Sequence, residues 1–75
     1  MNFGEAITKL KNGKRVARAG WNGKGMFLAM ISGVSFDNTE VVPFIAIYAT
    51  NKKFSAWNAS QQGVFSDDWQ VVSEV

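Results

Sequence analysis

The sequence predicts an α+β fold: a short N-terminal helix packed on a small twisted antiparallel β-sheet, assembling as a homo-oligomer. Three observations predict it. Helical spacing of apolar residues is confined to the N-terminal segment that ends at Asn12-Gly13. Runs rich in β-branched and aromatic residues, bounded by glycine and polar turns, fill most of the remainder. The two central runs are apolar at nearly every position, so neither face of the sheet reads as solvated.

The helix begins at Asn2-Phe3-Gly4-Glu5, where Asn2 is the N-cap and Glu5, three residues on, completes a capping box. Phe3, Ala6, Ile7 and Leu10 then recur on one stripe, with Lys9 and Lys11 off it. Asn12-Gly13 ends the helix, because glycine adopts left-handed geometry without a side-chain clash. Arg15 to Arg18 alternates as a strand. Met26 to Ile31 and Val41 to Ala49 follow as the two central strands, with Pro43 placed at the start or edge of its strand. Thr50 to Lys53 forms a hairpin turn into Phe54 to Trp57. A polar segment, NASQQGVFSDD, leads to a last strand over Trp69 to Val75.

In the central strands, Met26, Leu28 and Met30 oppose Phe27, Ala29 and Ile31. Phe44, Ala46 and Tyr48 likewise oppose Ile45, Ile47 and Ala49. One short helix covers one such face, and the other is expected to meet a second subunit. The 75 residues form one domain, 1–75, whose own core is marginal. Disulfides are excluded because there is no cysteine, which leaves oligomerisation as the stabilising device.

Composition narrows the chemistry. Without cysteine or histidine there is neither a thiol nucleophile nor an imidazole base, and a transition-metal site would need carboxylates alone. No metal or cofactor is expected. No signal peptide or membrane-length apolar run is evident, so the expected location is the cytoplasm. The formal charge of +2 hides an asymmetry: residues 1–24 carry +5 and residues 25–75 carry −3. A basic end suits a phosphate-bearing partner, and equally an ordinary solvated helix face.

The stretch RAGWNGKGM, residues 18–26, contains Gly20, Gly23 and Gly25 as G-x-x-G-x-G. That is the reverse of the dinucleotide fingerprint, and a strand rather than a helix follows, so no standard phosphate loop is present. Asn22-Gly23 is a strong turn signal. Trp21 has two readings: a stacking surface for a nucleobase, with Arg18 and Lys24 near its phosphates, or a member of a cluster with Trp57 or Trp69. Trp57, Ser60, Gln61, Asp68 and Trp69 supply rings, a hydroxyl, an amide and a carboxylate that can read ribose and base edges. Their plainer reading puts the tryptophans in the core and Ser60 at a helix N-cap. Asp67 and Asp68 are adjacent and point to opposite faces of a strand, which disfavours an acid–base pair.

MNFGEAITKLKNGKRVARAGWNGKGMFL near the start and WNASQ…DDWQVV near the end resemble the Thoeris anti-defense 2-like domain, a family of small phage and prophage proteins. Gly63 departs from the family pattern, which usually has an aspartate there, and Ser32 to Val42 replaces a longer loop. The resemblance implies a non-enzymatic sponge that holds a cyclic nucleotide-like immune signal without degrading it. The signal of the Thoeris system is a glycocyclic ADP-ribose made by a TIR-domain enzyme, and some members are implicated in binding cyclic dinucleotides. It also implies a homo-oligomer, a tetramer foremost and a dimer otherwise, with pockets between subunits. The implied ligand-binding positions are Arg18, Trp21, Asn22, Lys24, Trp57, Ser60, Gln61, Asp68 and Trp69. No membrane and no stable nucleic-acid partner are expected. Rival readings are a single-stranded nucleic-acid or protein-binding module using the basic N-terminal region and tryptophans, and a phosphodiesterase-like enzyme using Asp67 or Asp68.

Overall fold

The computed structural model describes residues 1–21 and 25–72. Helix α1 spans Phe3–Lys11, and its N-terminus is the capping box: Asn2 Oδ1 accepts from Glu5 N at 2.8 Å, and Glu5 Oε1 accepts from Asn2 N at 3.0 Å. At the other end Gly13 has φ +82°. Its N–H reaches the Leu10 carbonyl at 3.0 Å, and Lys14 N reaches the Lys9 carbonyl at 3.0 Å, which is a Schellman closure.

Strands β1 (Arg15–Arg18), β2 (Phe27–Ile31), β3 (Ser35–Phe36), β4 (Thr39–Glu40), β5 (Phe44–Tyr48), β6 (Phe54–Ala56) and β7 (Trp69–Val72) follow, with a short helix α2 (Gln61–Val64) between β6 and β7. Five strands form one sheet in the order β6-β5-β2-β1-β7, every neighbour antiparallel. Its two edges are therefore the last two strands of the chain, and β7 closes against β1 with Arg18 opposite Trp69.

Three expected strands are shorter: β2 begins at Phe27 rather than Met26, and β6 ends at Ala56 rather than Trp57. The strand expected over Val41–Ala49 is shorter, Phe44–Tyr48, since Pro43 has no N–H to give a ladder. Val41 instead donates to the Val34 carbonyl, 2.9 Å away, and extends a separate hairpin. That hairpin, β3–β4, turns through Asp37 (φ 53°) and Asn38 (φ 60°), the left-handed pair that a two-residue turn requires. Within the polar segment Ser60 is the N-cap of α2, as its plainer reading has it. The last strand ends at Val72 among the described residues, and 73–75 lie outside them, as does the Asn22-Gly23 turn.

The core lies between α1 and one face of the sheet. Ala6, Leu10, Val16 and Leu28 are fully buried there, and Trp69 is 2% exposed. Burial of each large aliphatic contributes about 1.5–3 kcal/mol. Ile7, Met30, Ile45 and Ile47 pack around them. The opposite face carries Phe27 stacked on Tyr48 at 5.0 Å, with Phe54 against both rings. Arg15 covers Phe27 at 4.5 Å from its centroid. Beside this cluster Ile31, Phe44, Ala46, Phe54 and Ala56 line an open apolar groove of about 300 Å³. Apolar character on both faces is as the strand patterns predict.

Candidate functional site

The expected site residues come from four separate segments, and the sheet topology gathers most of them at one end. Pairing of β1 with β7 puts Arg18 beside the start of β7, where Asp68 immediately precedes Trp69. The Arg18 guanidinium meets Asp68 through Nε to Oδ1 at 2.8 Å and Nη2 to Oδ2 at 3.5 Å. The chain then continues the pairing past β1, with Ala19 N on the Asp68 carbonyl at 2.9 Å. Gly20 N donates to Asp68 Oδ2 at 3.1 Å. A tight turn follows, in which Trp21 N reaches the Arg18 carbonyl at 3.2 Å.

The Arg18 hydrogen bond is the main cause that holds the Asp68 carboxyl below its ordinary range; burial opposes it, and the Gly20 N–H adds to it. At neutral pH Asp68 is therefore an ionised acceptor. A carboxyl held low in this way is a poor proton donor and a weak base.

The aromatic half of the site is a four-ring cluster centred on Trp69. Trp21 meets it edge-on at 5.5 Å and 79°, Trp57 edge-on at 6.0 Å and 87°, and Phe3 lies at 5.5 Å. Edge-to-face geometry places a ring's positive rim on its neighbour's negative face. The buried Trp69 Nε1–H donates to the Gly63 carbonyl at 2.9 Å, which ties the cluster to α2. Ser60 Oγ caps that helix by accepting from Gly63 N at 3.1 Å. Gly63 itself is packed: a Cβ there would lie 3.4 Å from Ser60 Oγ and 3.6 Å from Trp57 Cζ2.

The structure thus brings together Arg18, Trp21, Trp57, Ser60, Asp68 and Trp69. Trp21 and Trp57 are half-buried and keep part of their surface open. Trp69 does not: the expectation that it lines a pocket beside Trp21 is corrected, because its indole is core and backs the other two rings. Ser60 takes the plainer of its two readings, its oxygen engaged in the cap. Gln61 is the exposed first residue of α2. Asn22 and Lys24 lie outside the described residues.

Three contributors escaped the sequence reading. Phe3 appeared only as a helix-stripe residue, although its ring touches both Trp57 and Trp69. Gly20 appeared only as part of a failed glycine spacing; here its missing Cβ lets Asp68 Oδ2 approach to 3.2 Å of where that atom would stand. The Gly63 carbonyl carried no side-chain signal at all.

Comparison with known proteins places the chain in a family. The family model described as the Thoeris anti-defense 2-like domain matches residues 1–72. The curated protein Thoeris anti-defense 2 of Bacillus phage SP01 is 40% identical over 85 aligned residues, covering 97% of this chain and 96% of the relative.

Proposed function

Because the chain belongs to the Thoeris anti-defense 2-like family, we propose that it is a phage anti-defence protein that acts against Thoeris by sequestration. It binds the system's immune signal, a glycocyclic ADP-ribose, and releases it chemically unchanged. The SP01 relative's name states the anti-Thoeris role for that protein. The ligand and the sponge mechanism are our own reading for this chain.

One observation carries that reading: the half-buried Trp21 indole is held edge-on against a buried tryptophan, 5.5 Å away, by the protein's own packing. A sponge must capture a scarce signal, and a ring already fixed in place loses little conformational freedom on stacking against a base. The basic N-terminal region favours the ligand's phosphates. An ionised Asp68 engaged by Arg18, in a chain without histidine or cysteine, supports binding over hydrolysis.

The assembly belongs to the same proposal. The Phe27–Tyr48–Phe54 face of the sheet meets a second copy, and pockets form where subunits adjoin, in a cytoplasmic tetramer or dimer. Phe54 is 50% exposed in the single chain, and the Phe27 ring is already engaged, stacked on Tyr48 and covered by Arg15. The patch therefore suits packing against apolar surface better than stacking of bases. A purely monomeric species by light scattering at micromolar concentration would count against this part.

Mass spectrometry tests the function. Protein incubated in lysate with an activated TIR enzyme is purified and heated, and the released small molecules are identified. Intact glycocyclic ADP-ribose in stoichiometric amount is the expected result. Loss of the signal from the lysate with only cleaved products recovered means an enzyme instead. A signal left entirely in the lysate means that the chain does not bind it.

A further inference from the structure

We propose that Asp68 is a positioning residue, a latch that fastens the segment Arg18–Trp21 to the start of β7 and thereby presents the Trp21 indole. This rests on the binding role of Trp21 given above.

Asp68 holds the segment at several points. Its backbone carbonyl takes the Ala19 N–H at 2.9 Å. Its Oδ2 takes the Gly20 N–H at 3.1 Å, and its Oδ1 takes Arg18 Nε at 2.8 Å. Three consecutive residues are thus tied to one, and Trp21 follows through its own hydrogen bond back to the Arg18 carbonyl, 3.2 Å away. Both carboxylate oxygens are committed to this segment, which distinguishes a latch from a group aimed at a ligand. Gly20 is part of the device, because a Cβ there would stand only 3.2 Å from Oδ2. Among the described residues, the charges around the carboxylate are Arg18 from β1, the neighbouring Asp67, and the amino group of Met1, which donates to the Asp67 and Trp69 carbonyls.

The latch acts through population. If Trp21 is presented only a tenth of the time, apparent affinity falls about tenfold although every ligand contact is unchanged. A direct ligand contact by Asp68 predicts something different: Asp68→Asn would then lose binding while the Gly20 amide protection and the Trp21 resonance stay as in the wild type.

The test uses the full chain, isotopically labelled, with and without glycocyclic ADP-ribose. In ligand-free Asp68→Asn, the Gly20 amide is expected to exchange with solvent at least about tenfold faster than in the wild type. The Trp21 indole N–H resonance should move. Asp68→Asn and Gly20→Ala should both weaken binding by about tenfold or more. Gly20 protection and the Trp21 resonance unchanged in Asp68→Asn would overturn the latch, as would normal binding by Gly20→Ala. Should a variant fail to fold, the wild type still decides. The Gly20 amide shift must follow the Asp68 carboxyl through its acid titration, and independence of the two overturns the proposal. The ligand-free readouts need no binding, so failure of the sponge reading and failure of the latch are separable.

Discussion

Replacing Trp69 by phenylalanine isolates what the buried indole nitrogen contributes. The smaller ring still faces Phe3, Trp21 and Trp57, whose centroids lie 5.5–6.0 Å from that of Trp69. What disappears is the Trp69 donor to the Gly63 carbonyl, a 2.9 Å hydrogen bond in a buried setting, while the Ser66 N–H stays on that oxygen at 3.4 Å. Loss of one such bond from an acceptor that keeps a second, longer one costs about 1 kcal/mol. The lost part of the ring leaves a void of roughly 40 Å³, which adds about 1 kcal/mol. The expected loss is therefore about 2 kcal/mol. A domain of this length has a total of only about 4–11 kcal/mol, so the melting temperature should fall by about 8–16 °C. Thermal unfolding is compared at one fixed protein concentration, since assembly makes the midpoint concentration-dependent. Trp57→Phe is the control: the ring is half-buried and the Trp69–Gly63 bond survives, so the loss should stay under about 1.5 kcal/mol. A fall of less than about 4 °C for Trp69→Phe would refute the reasoning. It would mean that the Ser66 N–H satisfies the Gly63 carbonyl by itself and that the cluster is not tied to α2 through the Trp69 bond.

Three further outcomes are expected. Trp21→Ala abolishes or greatly weakens glycocyclic ADP-ribose binding by calorimetry, while size-exclusion elution stays at the wild-type position. Gly13→Ala destabilises by about 1–2 kcal/mol in urea titration. Its φ is +82° and nothing lies within 4 Å of the new methyl, so the whole cost is backbone strain. Acid stability follows Asp68: its folded pKa is below the ordinary 3.8, so its contribution is complete above that range and is lost as pH falls through the folded value. Urea midpoints measured from neutral pH down to about pH 2 should fall more steeply for the wild type than for Asp68→Asn.

Local chemistry made much of the fold legible. The Asn2–Glu5 capping box and the Gly13 closure depend on neighbours three to five residues apart, and both stand as the residue types dictate. The turn over Thr50–Lys53 is equally local: Lys52 adopts φ +63°, and Lys53 N bonds Asn51 Oδ1 at 3.1 Å. The β3–β4 hairpin was missed because its turn residues, Asp37-Asn38, lack the glycine that marks most such turns and its strands are two residues long. Among the site residues, their identities were readable as rings and charges, yet their roles were not. Trp21 and Trp69 look alike in sequence, one half-buried and the other 2% exposed.

Sequence alone determined the capped helix, the central strands with two apolar faces, and a chemistry without thiol or imidazole. Each depends on residue type and short spacing, which the backbone reads locally. Only tertiary structure decided that β7 pairs with β1. That pairing joins residues about fifty positions apart, Arg18 with Asp68 and Trp21 with Trp69. It turns an isolated carboxylate into the partner of a loop, and one of three tryptophans into the support of the other two. Burial and long-range register set those roles, and neither is a property of any short segment.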